Sequence, residues 1–157
     1  MTLTRLFVSL SILLLSVSIA SAQEQRTFFS PGLKFGYEWG HGLFAGIELS
    51  YTIMPRDAYA FTYGASLNFD LMRDGAWKAH LGAQGGHAVG VQIGPTYYKE
   101  KDAEGRLGYS FTAFSLVTLM PYYTYTDLFG KKINESGVLL KIPLQTSGPK
   151  VGDLFKT

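Results

Sequence analysis

The chain has 157 residues, no cysteine, and 14 basic against 12 acidic side chains. That excludes disulfides, a thiolate metal site and a lipid-anchored cysteine, and the near-neutral balance gives no reason to expect a nucleic-acid partner. Charged residues are only 17% of the chain, aromatics are 15%, and there are 18 glycines; soluble domains average roughly 25% charged residues, so this composition suits β-structure in an apolar setting.

The chain opens with "MTLTRLFVSLSILLLSVSIASAQ". Arg5 supplies a positive start, Leu6 to Ala20 an apolar run, and Ala20-Ser21-Ala22 the small residues of a peptidase site. This is the form of a secretory signal peptide over residues 1–22, with cleavage expected near Ala22. The run is short for a membrane anchor, since a spanning helix needs ~20 apolar residues. No later segment is long and apolar enough to cross as a helix. A single domain is expected over 23–144, followed by a polar tail over 145–157.

Eight strands are predicted in chain order, each with the two-residue alternation of an element with unlike faces. The first runs from Leu33 to Trp39, with Leu33, Phe35, Tyr37 and Trp39 opposing Lys34, Gly36 and Glu38. The second, Leu43 to Ile53, sets Leu43, Ile47, Leu49 and Tyr51 against Phe44, Gly46, Glu48 and Ser50. The third, Ala58 to Leu71, sets Tyr59, Phe61, Tyr63, Leu67 and Phe69 against Gly64, Ser66, Asn68 and Asp70. The fourth, Trp77 to Gly85, sets Trp77, Ala79 and Leu81 against Lys78, His80 and Gln84.

The fifth, Ala88 to Tyr98, sets Val91, Ile93 and Tyr97 against Gln92, Gly94 and Thr96. The sixth, Leu107 to Ala113, carries Leu107, Tyr109 and Phe111 on its oily side, and the seventh, Val117 to Tyr125, carries Leu119, Tyr123 and Tyr125. No Gly, Pro or Asn marks the break between them near Phe114-Ser115-Leu116. The eighth, Glu135 to Leu144, carries Val138, Leu140, Ile142 and Leu144, and Pro143 is expected at its end because it cannot donate to a ladder. The first and sixth strands look short. Tight turns are predicted at Gly40-His41-Gly42, Pro55-Arg56-Asp57, Arg73-Asp74-Gly75 and near Gly85-Gly86-His87, with longer charged connections over 99–105 and 127–134. The expected fold is all-β: a closed, up-and-down antiparallel transmembrane β-barrel of eight strands.

Charge placement sets which face is expected outside. The charged residues inside predicted strands are Lys34, Glu38, Glu48, Asp70, Lys78, Glu135 and Lys141, all with the parity of the small polar face. A small barrel has little interior room, so the large apolar side chains fit better outside, against lipid. A sheet in a bilayer must close, because every backbone group needs an internal partner. With the N-terminus periplasmic, Trp39, Phe69, Trp77, Tyr97, Tyr109 and Tyr125 form one aromatic girdle, and Tyr51 and Tyr59 mark the other. The long connections then face out of the cell.

This pattern, from Leu33 to Leu144, resembles the small eight-stranded outer-membrane β-barrels of Gram-negative bacteria. Glu135, Gly137, Leu140 and Ile142 also resemble the signal read by the barrel-assembly machinery, although the chain continues to "LFKT" instead of ending in an aromatic. The resemblance implies an outer-membrane location, outer-membrane lipid as surroundings, the assembly machinery as a partner in biogenesis, and a monomer.

Candidate site residues are those of a lumen polar network: Lys34, Glu38, Glu48, Asn68, Asp70, Lys78, His80, Gln84, Gln92, Glu135 and Lys141. Buried charges must be paired or hydrogen-bonded, so a plug that closes the lumen is the first expectation, and an ion or proton path along it the second. No catalytic residue, metal or cofactor is assigned. His80 lacks the neighbouring ligands of a zinc site, no His-x-Ser pair appears, and "GAQGGHAVGVQIG" lacks the Lys-Ser/Thr of a phosphate loop. The expected role is anchoring, envelope integrity or surface contact. The alternatives are a lipid-modifying membrane enzyme, a narrow porin-like channel, and a soluble exported barrel that binds an apolar ligand.

Overall fold

The computed structural model describes residues 25–55, 61–115 and 119–148. The expected signal peptide, Tyr59 and the start of the third predicted strand lie outside these residues.

Alternation becomes strand throughout. The strands are β1 (Arg26–Glu38), β2 (Gly42–Met54), β3 (Thr62–Met72), β4 (Trp77–Gly86), β5 (Val89–Lys99), β6 (Arg106–Ser115), β7 (Leu119–Asp127), β8 (Lys132–Lys141) and the short β9 (Leu144–Ser147). From β1 to β8 each strand pairs antiparallel with the next, and β1 also pairs with β8, from Gly32↔Lys141 to Glu38↔Glu135. The result is a closed, up-and-down, eight-stranded antiparallel barrel. Closure removes the unpaired sheet edges that would otherwise need protection.

Several strand boundaries expected from the sequence are corrected. β1 starts at Arg26, well before Leu33, and has 13 residues. Its early part pairs with the far end of β2, Arg26↔Met54, where the adjacent Phe28 and Phe29, and then Pro31, hide the alternation. β6 has 10 residues and runs through Ser115, past the Ala113 end expected for it, and β7 starts at Leu119; residues 116–118 lie outside the described residues. The polar tail does not begin at Gln145. Pro143 interrupts the ladder because it has no N–H, but Ile142 N still donates to Pro31 O at 3.0 Å. β9 then resumes pairing on β1 from Leu144↔Phe29 to Ser147↔Thr27. Thr27 Oγ1 lies 2.6 Å from Ser147 Oγ, which ties this end of the wall.

The two faces of the wall differ sharply. Leu67 is 50% exposed, while its neighbours Ser66 and Asn68 are 2% and 3% exposed. Buried side chains are mostly polar or charged, and the large exposed ones are Leu, Ile, Val, Phe, Tyr and Trp.

The interior is not made of small residues alone, as the sequence had suggested. Phe44, Met72, Tyr98, Phe114, Met120, Tyr122 and Leu139 are buried there too. Glycines on adjacent strands make the room. Phe44 lies opposite Gly36, Phe114 opposite Gly90, and Tyr122 opposite Gly137. A Cβ on Gly36 would sit 2.7 Å from the Phe44 ring, and one on Gly90 would sit 2.4 Å from Phe114. Each ring therefore covers a glycine backbone, and that contact places large side chains in a narrow bore.

Candidate functional site

Register builds the charged interior. Lys34 on β1 lies opposite Gly46 on β2, Gly46 opposite Asp70 on β3, and Asp70 opposite Lys78 on β4. Gly46 has no side chain, so Lys34 reaches across β2 to Asp70, with Nζ 2.8 Å from Oδ2. A Cβ at Gly46 would lie 2.1 Å from Asp70 Oδ1. Lys78 Nζ is 3.3 Å from the same Asp70 Oδ2 and also pairs with Glu135 from β8, which stands 3.8 Å from Lys34 Nζ. Two lysines and two carboxylates thus form one closed cluster, each side chain at most 7% exposed.

The arrangement recurs further along the bore. Lys141 on β8 and Glu48 on β2 both lie opposite Gly32 on β1, and they pair across it. Gln92 on β5 donates to Ser66 on β3 over the intervening β4, where a Cβ on Gly82 would meet Gln92 Cγ at 2.6 Å. Gln84 Nε2 donates to Thr52 Oγ1 at 3.1 Å. On the same inner face, along β5, β6 and β7, hydroxyls make their own ladder: Thr96 to Ser110 at 2.5 Å, Ser110 to Thr126 at 2.7 Å, and Thr112 to Thr124 at 2.8 Å.

Aromatic rings back the cations. Lys34 Nζ is 5.0 Å from the Tyr122 ring centroid and 5.7 Å from Phe44, and Lys141 Nζ is 5.7 Å from Phe114. These are distances at which a ring face attracts an ammonium.

All eleven sequence-selected polar residues point inward, but they do not form one network. Lys34, Asp70, Lys78 and Glu135 meet, and Lys141 meets Glu48. Glu38 lies opposite Glu135 in register and accepts from Tyr98 OH at 2.7 Å. Asn68 and His80 face each other across β3 and β4, yet Asn68 Nδ2 and His80 Nε2 have no hydrogen-bond partner. Both line a central cavity with room for roughly one water molecule,.

Sequence reasoning placed Phe44 on the inward face but missed Tyr98, Tyr122 and Phe114 as interior groups. Parity held the signal, since Tyr98 follows Thr96 and Tyr122 precedes Thr124 on the inward side. It also missed a chain of contacts at the end of the barrel where β1 finishes. His41 Nδ1 is 2.5 Å from Asp74 Oδ2, His41 Nε2 is 3.3 Å from Lys131 Nζ, and Lys131 pairs with Glu100. Local turns position these groups. Gly40 (φ 125°) and Gly42 (φ 87°) flank His41 in conformations that L side chains rarely adopt,. Asp74 Oδ1 accepts from Ala76 N at 3.0 Å, and Asp127 Oδ1 accepts from Phe129 N at 2.9 Å just before Lys131.

Two of these carboxyls are shifted. Asp74 is held below its ordinary value first by the His41 hydrogen bond and then by Ala76 N–H. Glu100 is held below its ordinary value chiefly by the Lys131 hydrogen bond.

The same end carries a row of outward rings. Phe69 and Trp77 centroids are 5.7 Å apart, Trp77 and Tyr97 are 5.2 Å apart, and Trp39 meets Tyr123 edge-on at 6.3 Å. Tyr109 meets Phe129 at 5.8 Å. Tyr125 also lies on the outward face near this end, and Tyr51 lies toward the other. Among the described residues, no three His, Asp or Glu side chains converge as a metal site. Comparison with protein-family models and with curated proteins returns no match.

Proposed function

We propose that this chain is exported by a cleaved signal peptide and resides in the outer membrane of a Gram-negative bacterium. There it acts as a closed barrel with a structural, anchoring or surface-contact role. One observation carries this reading: the wall is apolar outside and charged inside. Leu33, Phe35, Leu43, Ile47, Leu67, Leu81 and Ile93 are each half or more exposed, while Lys34, Glu48, Asp70 and Lys78 are buried. Water would favour the reverse arrangement, whereas lipid favours this one. A continuous apolar surface of this kind marks an interaction with an apolar partner.

Further support comes from the aromatic row at one end, which corresponds to the girdle expected at a lipid–water boundary. In the proposed orientation the connections over 100–105 and 128–131 face out of the cell and offer the contact surface. The paired charges along the bore, and a central cavity with room for roughly one water, favour a plug over a diffusion path,.

The test is a pair of adjacent substitutions combined with fractionation. The native chain should be recovered with outer-membrane lipid and should migrate anomalously on a gel until boiled. Leu67→Arg should cost about 2–4 kcal/mol of folding free energy, as for an arginine placed at mid-bilayer on a lipid face. Ser66→Arg should fail differently, by crowding the bore, with its lipid contacts intact. Recovery of the native chain as a detergent-free soluble monomer would sink the proposal.

A further inference from the structure

The rim at the β1 end carries charge unevenly on its outward side. Trp77 on β4 lies between Leu71 on β3 and Lys99 on β5 in register. Arg73 extends the outward parity of Phe69 and Leu71, since its N–H continues the ladder to Leu43 O at 3.0 Å. Arg73 and Lys99 are both exposed. Two cations therefore flank Trp77 at the strand ends, beside the Phe69–Trp77–Tyr97 row. They stand two strands apart, and adjacent strands are about 4.8 Å apart, so both long side chains can reach one group beside the indole.

The acids next to these cations are turned to other partners, Asp74 to His41 and Glu100 to Lys131. Asp102 and Glu104 are matched in number by Lys101 and Arg106 in the same stretch, so Arg73 and Lys99 are in excess on this flank. Among the described residues neither has an ion-pair partner. Packing holds the flank in place. The Lys101 stem lies over the β3–β4 turn, 3.4 Å from where a Cβ on Gly75 would stand, and a Cβ on Gly105 would meet the Tyr97 hydroxyl. The flank across the barrel differs. Trp39 meets Tyr123 across β8, and the outward cation there, Lys132, lies opposite Asp127 in register.

We propose that Arg73 and Lys99 bind the phosphate of an anionic lipid in the leaflet this rim faces, with the Trp77 and Tyr97 rings against the start of its acyl chains. The inference rests on the membrane reading above. A guanidinium can donate to two phosphate oxygens at once, and an ammonium adds a point charge. Interfacial aromatic rings sit at headgroup level, which sets the height of a phosphate beside these cations.

The full chain would be reconstituted into phosphatidylcholine vesicles that hold one brominated lipid at a time, either phosphatidylcholine or phosphatidic acid, because bromine quenches tryptophan on contact. The chain has two tryptophans, so Trp39→Phe reports from Trp77 and Trp77→Phe reports from Trp39. Brominated phosphatidylcholine should quench both, which reads insertion. Brominated phosphatidic acid should be preferred at Trp77 by about 25-fold, about fivefold for each cation near the surface, and should not be preferred at Trp39. Arg73→Gln with Lys99→Gln should remove that preference and leave quenching by phosphatidylcholine intact. An equal preference at both tryptophans, or one that survives the double substitution, would overturn the proposal and leave the membrane reading standing. Absence of quenching by either lipid would overturn both. Loss of the preference in excess inorganic phosphate at fixed ionic strength would assign the two cations to free phosphate and overturn lipid binding. Should the double variant not insert, the comparison of Trp77 with Trp39 decides alone.

Discussion

Two charged clusters in this barrel use the same chemistry in opposite surroundings. Lys34, Asp70, Lys78 and Glu135 lie inside the bore, at most 7% exposed. Asp74, His41, Lys131 and Glu100 lie at the mouth, where the side chains of Lys131 and Glu100 are 32% and 35% exposed and that of Asp74 is 44% exposed. Inside, four strands in fixed register hold the charges, and water cannot replace a lost partner. At the mouth, short connections hold them and water is an alternative partner. The inner cluster is therefore costly to break, and the outer chain costs little to break.

The largest expected effect comes from breaking the inner cluster. Lys78→Met leaves Asp70 and Glu135 with one lysine between them. Removal of one member of a buried pair costs about 3–5 kcal/mol. Urea unfolding in detergent micelles should show that loss. Pairing Lys78→Met with Glu135→Leu should recover much of it, because no buried charge is then left alone on that side. If the double variant is as unstable as the single one, the cluster is not held by the pairing described.

Next in size is Gly46→Val, which attacks the space that lets Lys34 reach Asp70. Its Cβ would fall 2.1 Å from Asp70 Oδ1 and 2.7 Å from Phe69 O, so overpacking should cost about 1–3 kcal/mol. Gly40 at the mouth offers the contrast. Nothing lies within 4 Å of a Cβ there, but φ is 125°, so Gly40→Ala should cost only the backbone strain of roughly 1 kcal/mol. Equal unfolding midpoints for the two variants would remove the distinction between packing and backbone conformation.

Smaller still is Lys131→Met, whose exposed pair with Glu100 is worth about 0–1 kcal/mol. Its effect on the unfolding midpoint should shrink further in high salt, which screens surface charges, while that of Lys78→Met should persist.

The smallest effect is set by pH. Asp74 has a depressed folded pKa because His41 and Ala76 bond its ionised form. That contribution is fully present above the unfolded carboxyl value of about 4, and it is lost as pH falls through the lower folded value. The advantage of native chain over Asp74→Asn should accordingly vanish in strong acid and survive at neutral pH. An advantage that grows on acidification would reverse the assigned sign.

Legibility in the sequence followed the range of the signal. Alternation is local, so strand after strand could be read from parity, including the inward set of Lys34, Glu48, Asp70 and Lys78. It failed where locality failed. Phe28 and Phe29 hide the start of β1, and Pro143 conceals that pairing resumes at Leu144. Tyr98 and Tyr122 carry the inward parity, but the space that admits Tyr122 comes from Gly137 on the neighbouring strand, which only the register shows.

The sequence by itself determined the class of element and the side of each strand on which charge sits. The period of two is a property of the extended backbone and needs no partner strand. Only the tertiary structure decided which charges meet. Lys34 reaches Asp70 because Gly46 lies between them in register, and Lys141 reaches Glu48 across Gly32 for the same reason. The His41 chain joins four turns far apart in sequence. Closing the barrel brings them within hydrogen-bond distance, because β1 pairs with both β2 and β8.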